Sequence, residues 1–381
     1  MRIGIISQAY FPIHGGVTEH VHHTALELKK RGHDVTIITA NFGREDRLYD
    51  SPLVRRIGFD LTVPSNGAFG NVTIGWRLAQ QLRAIEREKK FDIVHIHSPV
   101  DPVLPLVAAK VLRAPKVGTF HSYMKSSNGF NFFQRLLEGY FKKLNGRIAV
   151  SQDAKTFFSK YFPGDYRIIP NGVDTERFSP AVKPLEEFRN GFFNILFVGR
   201  MDPRKGLKHL IKAMPLIIAA VPKTRLIVVG GGILQEYYRT QISENIIDRI
   251  HFAGFVSAED LPRYYRTADV FVSPATEGES FGIVLIEALA SGVPVVASDI
   301  EGYNSVVKNG RTGFLIPIKQ PIKIAERVIE LLKQKKLRTQ MGRQGRAEAL
   351  RYSWPKVTLE IEKYYKEVLN KVKKSRLIKA K

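Results

Sequence analysis

The sequence predicts an α/β protein of two successive units, each a parallel sheet with helices packed on it. Three features carry this reading. Short apolar runs alternate with helix-length amphipathic stretches along most of the chain. Glycines gather where a run of the first kind gives way to the second, at Gly15-Gly16, Gly199–Gly206, Gly230-Gly231-Gly232 and Gly278–Gly282. One charged, proline-bearing stretch, Phe178 to Asn190, separates the two series and reads as a linker.

In the first series, Arg2 to Ser7 reads as a strand, Phe11 to Val17 as a loop and Thr18 to Arg31 as a helix ended by Gly32. His33 to Thr39 returns as a strand, which makes a βαβ unit. Gly15-Gly16 is not a G-x-G-x-x-G dinucleotide fingerprint, but it lets backbone come close to a ligand at a helix start. His20, His22 and His23 lie on that helix, with His20 and His23 on one face; they pack in the fold or, as the weaker reading, hold a metal. Residues 58–75 are glycine-rich and read as a loop with a turn signal at Pro64-Ser65-Asn66-Gly67. From Trp76 to Lys89 a basic amphipathic helix is expected.

Phe91 to His97 and Lys116 to Ser122 read as strands, which puts His97 and His121 at carboxyl ends, where open α/β sheets bind ligands. Residues 131–144 carry an apolar helical stripe (Phe132, Phe133, Leu136, Leu137, Tyr140, Phe141, Leu144) that is either core or a membrane-interface face. Strands at Ile148 to Ser151 and Ile168-Ile169 close the series.

The second series opens at Phe192 to Val198, followed by Gly199-Arg200-Met201-Asp202-Pro203-Arg204-Lys205-Gly206. Cations on a strand-to-helix loop suit a pyrophosphate, arginine as a fork and lysine as a point charge. Strands follow at Arg225 to Val229, His251 to Val256 and Asp269 to Pro274. Next comes Glu277-Gly278-Glu279-Ser280-Phe281-Gly282-Ile283-Val284-Leu285-Ile286-Glu287, a loop running into a helix, with Ser280 as candidate cap. A helix start offers N–H groups and the positive end of the helix dipole to a phosphate. Ionised Glu279 and Glu287 accept hydrogen bonds only, which suits sugar and ribose hydroxyls. From Ser353 one long helix carries Trp354, Val357, Ile361, Tyr364, Tyr365 and Val368, and the cationic tail 371–381 is either solvated or in contact with anionic lipid.

The E-x7-E spacing of Glu279 and Glu287, within the text ESFGIVLIEALASGVPVVAS, resembles the retaining nucleotide-sugar glycosyltransferases of family 4. Within that family it is most similar to phosphatidylinositol mannosyltransferases and related lipid glycosyltransferases, over about residues 1–370. The resemblance implies a GT-B architecture, two Rossmann-like domains facing across a cleft with a terminal helix crossing back to the first. It places the acceptor domain at 1–177, joined by 353–381, and the donor domain at 178–352. It implies Arg200 and Lys205 on the donor diphosphate, with Arg204 assisting. Glu279 would meet the sugar hydroxyls, Glu287 the ribose, and His121 would orient the sugar. Gly16, Val256, Ser280, Phe281, Gly282 and Ile283 would complete the donor site, and Tyr10, Thr18 and Asn66 would meet the acceptor. Guanine-using relatives often carry an acid soon after the Val256 position; here Ser257-Ala258-Glu259-Asp260 leaves the base open. The leaving phosphate is expected to take the acceptor proton on the same face, so no side-chain nucleophile is assigned. No cofactor is implied beyond the donor; Mg2+ is compatible with the motifs but not required by them.

Composition bounds the partners. Over 381 residues, 59 Lys and Arg against 36 Asp and Glu give a formal charge of +23, which calls for an anionic partner. There is no cysteine, hence no disulfide or thiolate metal site. No apolar stretch is long enough for a spanning helix, and Met1 to Ser7 is too short an apolar run for a signal peptide. The expectation is a cytoplasmic protein, peripheral on the inner membrane face, with a nucleotide sugar as donor and a lipid headgroup as acceptor. A soluble sugar or polysaccharide acceptor is the alternative. A nucleic-acid binder would explain the charge but not Glu279, Glu287 or the cation loop, so nucleic acid is not expected as a partner.

Overall fold

A computed structural model describes residues 1–43, 51–65, 68–122, 128–232 and 234–380. The chain divides into two units, Met1–Asn171 with Trp354–Lys381, and Gly172–Ser353. Residues 172–177 and Ser353, expected in the first domain, therefore belong with the second unit. Hydrogen bonds give the reason. Val173 N donates to Tyr352 O at 2.9 Å, and the Arg346 guanidinium donates to the carbonyls of Thr175 and Phe178 at 2.9 and 2.8 Å.

The first unit runs β1 (Arg2–Ile6), α1 (Gly16–Lys30), β2 (Asp34–Thr39), β3 (Val54–Arg56), β4 (Phe59–Ser65), β5 (Ala68–Ile74), α2 (Leu78–Lys89), β6 (Ile93–His97), α3 (Leu104–Val111), β7 (Lys116–Phe120), α4 (Asn128–Phe141), β8 (Gly146–Ala149), α5 (Gln152–Tyr161) and β9 (Arg167–Ile168). Its parallel sheet has the order β3-β2-β1-β6-β7-β8-β9. The order reverses between β1 and β6, so the loops after those strands flank a switch point, where open sheets bind ligands. Leu137, Phe141 and Leu144 are buried, with Phe141 stacked on Phe162, and Tyr140 is half-buried, so the described part of the stripe packs toward the core. The side chains of Phe132, Phe133 and Leu136 lie outside the described residues.

The second unit runs β10 (Phe193–Val198), α6 (Leu207–Ala220), β11 (Thr224–Val229), α7 (Gln235–Thr240), β12 (Ile250–Gly254), α8 (Leu261–Thr267), β13 (Val270–Ser273), α9 (Ile283–Ala290), β14 (Val295–Ser298), α10 (Glu301–Asn304), β15 (Gly313–Ile316), α11 (Pro321–Lys333) and α12 (Lys335–Ala349). Its strands are also parallel, in the order β12-β11-β10-β13-β14-β15, with a switch point between β10 and β13. Strands buried on both faces need continuous apolar runs, as in Ile195-Leu196-Phe197 and Val270-Phe271-Val272, all essentially inaccessible.

The last helix, α13 (Trp354–Ala380), packs in the first unit. Trp354, Val357, Ile361, Tyr364, Tyr365 and Val368 are buried in its core with Val21, Ala25 and Leu28 of α1. Full burial of such side chains is worth about 1.5–3 kcal/mol each, so this stripe is what fixes the helix to the unit.

Within 58–75, expected to be a loop, Phe59–Ser65 and Ala68–Ile74 are strands. β4 and β5 pair antiparallel, with Phe59 opposite Ile74 and Leu61 opposite Val72. The hairpin is laid polar side inward: Thr73 is buried, Gln8 accepts from Thr73 N at 3.2 Å, and the Gln8 amide donates to Asn71 O. Its apolar side is turned out, with Phe59 66%, Leu61 46% and Ile74 44% exposed, beside Trp76 at 86%. Trp76 is thus outside α2, which starts after Arg77, a left-handed residue with φ 65°.

Candidate active site

In the second unit the loops after β10 and β13 are tied together at the switch point. Asp202 caps a single turn of 3-10 helix, Pro203–Lys205, by accepting from Arg204 N at 2.9 Å. The same carboxylate grips the Arg204 guanidinium, with Nε 3.0 Å from Oδ1 and Nη2 2.5 Å from Oδ2. The Arg204 hydrogen bonds hold the Asp202 carboxyl below its usual range, against the effect of burial. Thr276 N donates to Arg204 O at 2.8 Å, and the Lys205 ammonium pairs with the Glu279 carboxylate. Arg200 is exposed at the mouth of the β10 loop.

Two close backbone approaches make this geometry possible. A Cβ on Gly206, at φ 73°, would lie 1.9 Å from the Pro274 carbonyl oxygen. A Cβ on Gly302 would lie 2.0 Å from the Glu279 carbonyl oxygen. Only glycine lets α6 start against the end of β13, and α10 press on the Glu279 backbone.

Ser280 does not cap α9. The N-cap is Gly282 in the left-handed region, φ 81°, with no side-chain cap, and Ile283 is the first helical residue. A cap residue with no side chain leaves the helix start to whatever approaches it. Phe281 is buried, its ring 5.8 Å from that of Tyr352; Ser280 and Ile283 are half-buried. Glu287 accepts a 2.8 Å hydrogen bond from the Tyr265 hydroxyl. Burial first, then the Glu287 charge, push that phenol's pKa well up, so it stays a donor. Val256 is half-buried just beyond β12, next to Phe255, 77% exposed. The structure thus brings Arg204, Lys205 and Glu279 into one network, with Arg200 on the same loop and Glu287 on the adjoining helix.

His121, Gly16, Tyr10 and Thr18 stand in the first unit; Asn66 lies outside the described residues. His97 ends β6 and His121 follows β7, and His97 Nδ1 lies 2.9 Å from His121 Nε2. The rings stack at 5.1 Å. His20 of α1 sets its ring edge-on to both, at 5.2 and 5.1 Å, and is fixed by Asn171 Oδ1, 2.8 Å from its Nδ1. Behind them His95 bridges Thr119 Oγ1 at 2.6 Å and the Tyr365 hydroxyl of α13 at 2.7 Å. Burial drives the pKa of every member down: His20 to about 4, His95 to about 3, His97 and His121 well below the ordinary value. These imidazoles are neutral, each a donor at one nitrogen and an acceptor at the other.

His22 and His23 have other partners. The Tyr10 hydroxyl is 3.0 Å from His22 Nδ1, and His23 is 3.2 Å from Glu19 and stacked on Trp354. Tyr10 is buried, which pushes its pKa up to about 12. Thr18 is 1% exposed and donates to Ile13 O at 2.7 Å, so its hydroxyl pins the loop before α1. Gly16 is exposed as the first residue of α1. Sequence reasoning gave no part in the site to Asp202, Tyr265, His95 or Tyr365. The alternation His95-Ile96-His97 held a signal, since two residues apart on a strand share a face.

The family profile for Glycosyltransferase Family 4 matches residues 14–177 and that for Glycosyl transferases group 1 matches residues 182–348. The chain is 33% identical over 373 residues to the phosphatidyl-myo-inositol mannosyltransferase of Mycobacterium tuberculosis, covering 97% of both chains. The chain belongs to glycosyltransferase family 4. It is also 28% identical over 344 residues to the alpha-monoglucosyldiacylglycerol synthase of Acholeplasma laidlawii, covering 82% of this chain and 84% of that one. In fold, this glycosyltransferase is similar to Anabaena HepE solved in complex with UDP-glucose, with TM-score 0.74 and 19% identity over 96% of this chain and 99% of the other. It is a hexosyltransferase with the GT-B fold of two Rossmann-like units. No helix among its described residues is long and apolar enough to cross a membrane.

Proposed function

We propose that this glycosyltransferase moves a hexose of the mannose or glucose type, with retention of configuration, from a nucleotide-diphosphate sugar to a phospholipid headgroup at the cytoplasmic membrane face. The observation that carries the donor half is the Lys205–Glu279 pair beside Arg204 at the β10/β13 switch point. Lys205 and Arg200 neutralise the diphosphate, most of all as it gains charge on leaving. Glu279, held at Lys205, accepts from sugar hydroxyls; Glu287, held by Tyr265, accepts from the ribose. Arg204 is committed to Asp202, so its part is to shape the loop and add positive potential. The side chains supply the neutralising charge, and a divalent metal is not needed for it.

His121, fixed by His97, orients the sugar. The leaving phosphate oxygen takes the acceptor hydroxyl proton on the face from which the acceptor attacks, so configuration is kept. The chain's work is then positioning and charge stabilisation rather than side-chain acid–base transfer.

The lipid acceptor is supported by the two relatives named for transfer to lipid and by the outward-facing apolar side of the β4–β5 hairpin with Trp76. Exposed aromatic and aliphatic groups beside arginines suit a bilayer interface. The test is transfer from GDP-mannose and UDP-glucose to phosphatidylinositol or diacylglycerol in vesicles, with the anomeric configuration of the product read by NMR. A retained α-linkage on lipid is expected. Transfer to free sugars alone, or an inverted product, would overturn the reading.

A further inference from the structure

The buried histidines of the first unit restrict one another's protons. Each neutral ring has one N–H to donate and one lone pair to offer. His95 has both nitrogens committed, Nε2 with Thr119 Oγ1 at 2.6 Å and Nδ1 with the Tyr365 hydroxyl at 2.7 Å. His20 has its Nδ1 committed to Asn171 Oδ1 at 2.8 Å. His97 Nδ1 and His121 Nε2, 2.9 Å apart, are left to each other. In that bond one nitrogen must donate and the other accept, so the tautomer of either ring fixes the tautomer of the other.

His97 decides the direction. Its Nε2 is buried without a partner, and so is Nε2 of His20, whose ring stands edge-on at 5.2 Å. With the His97 proton on Nε2, an N–H would be sealed in the interior with nothing to accept it. With the proton on Nδ1, the N–H is used and only a lone pair is left over. An orphaned N–H is rarer in protein interiors than an orphaned acceptor, and a buried donor without a partner forfeits its full hydration. The ring is held in place as well, by the pairing of His97 with Thr119 across β6 and β7, by His95 at 4.2 Å and by the stacked His121 ring.

We infer that His97 donates from Nδ1 to His121 Nε2 and so holds His121 as the Nδ1–H tautomer, which makes His121 a hydrogen-bond donor to an oxygen of the sugar. His97 is then a positioning residue, and the contact is made by the Nδ1–H of His121. A sugar hydroxyl that accepts there keeps its own proton for a second partner. The inference rests on the reading that His121 meets the donor sugar, but the two can fail separately.

The first test is nitrogen NMR on the full chain with isotope-labelled histidines, the His121 signals being those lost in His121→Asn. Both His97 and His121 should carry their proton on Nδ1. In His97→Asn the amide can still donate to Nε2, and His121 should keep this form. In His97→Phe it should pass to the Nε2–H form that a free imidazole side chain prefers. The second test is calorimetry with monodeoxy and monofluoro analogues of UDP-glucose and GDP-mannose. Fluorine accepts a hydrogen bond weakly and donates none, whereas hydrogen does neither. At one ring position the fluoro analogue should bind more tightly than the deoxy analogue, by roughly threefold to tenfold. That preference should persist in His97→Asn and vanish in His97→Phe. A wild-type His121 protonated at Nε2, or a fluoro preference that survives His97→Phe, overturns the donor assignment and leaves the transferase reading standing. A folded chain that binds no nucleotide sugar overturns the assignment and that reading together.

Discussion

The two units share one fold and use it in opposite electrostatic styles. At the second unit's switch point charge is met by charge: Asp202 with Arg204, Lys205 with Glu279, and Arg200 exposed alongside. At the first unit's strand ends, four buried histidines with low pKa values are joined by neutral hydrogen bonds and ring contacts. A parallel sheet fixes where a site lies but not its chemistry; loop residues decide that. Charged loops suit a diphosphate, whose charge must be answered. Neutral imidazoles suit hydroxyls, which need oriented donors and acceptors without a competing ion.

The largest effect that would sharpen this contrast is in the charged loops. Lys205→Ala removes the point charge from the diphosphate and should lower kcat by about 10²–10³-fold, the usual cost of losing a preorganised donor at developing charge. Steady-state kinetics with a folded variant checks it, and a near-normal kcat would break the charged half of the comparison.

His97→Phe tests the neutral half. It keeps a ring but removes the hydrogen bond to His121, worth about tenfold in rate if that bond orients the sugar. Nucleotide-diphosphate affinity should not move while KM for the nucleotide sugar rises. A variant that only lowers the melting temperature would reduce His97 to packing. Tyr265→Phe should be milder, weakening nucleotide affinity by about threefold, since Glu287 keeps its charge and loses one orienting donor.

Acid should separate the units. A histidine with its folded pKa at about 4 stays neutral while the unfolded chain takes up a proton below about 6.5. The stability from the first unit's cluster is therefore complete above 6.5 and wanes as pH falls toward 4. Glu362 of α13 comes later. Burial opposes its ionisation, but Lys366 and Arg31 lower its pKa to about 2, so its contribution is lost only as pH falls from the carboxylate range through that value. The second unit's Asp202 is also held below its usual range by Arg204, so its contribution is lost only as pH falls below the ordinary carboxylate range. Hydrogen exchange resolved along the chain should show α1 and β6 loosening near pH 5 before the β10 loop; simultaneous loosening would contradict the contrast.

Much of this was legible in the sequence. Strand, glycine turn and helix recur because a parallel sheet needs continuous apolar runs and close turns. Arg200, Lys205, Glu279 and Glu287 stood out because ionised groups amid glycine and apolar residues have few structural uses. What was not legible depended on long-range packing. The hairpin at 59–74 has strand alternation, Phe59-Asp60-Leu61-Thr62-Val63, but its glycines suggested a loop, and its apolar face points outward because Gln8 meets the polar one. Ser280 looked like a cap from local chemistry, yet the left-handed turn at Gly282 displaces the helix start beyond it. The tie of Asp202 to Arg204 was local, two residues apart, but hidden by reading both cations as ligand groups. The link of His95 to Tyr365 joins residues 270 apart in sequence and could not be read from either neighbourhood.

The most direct test of the central claim is calorimetry of GDP, UDP and ADP and their common sugars on the full chain, beside Lys205→Ala and Glu279→Ala. The account predicts selective binding of one nucleotide series. Lys205→Ala should lose the nucleotide and its sugar together, and Glu279→Ala should keep the nucleotide but lose the added affinity of the sugar. A folded chain that binds none of the panel, or variants that bind as the wild type does, would contradict a donor site built on these two residues.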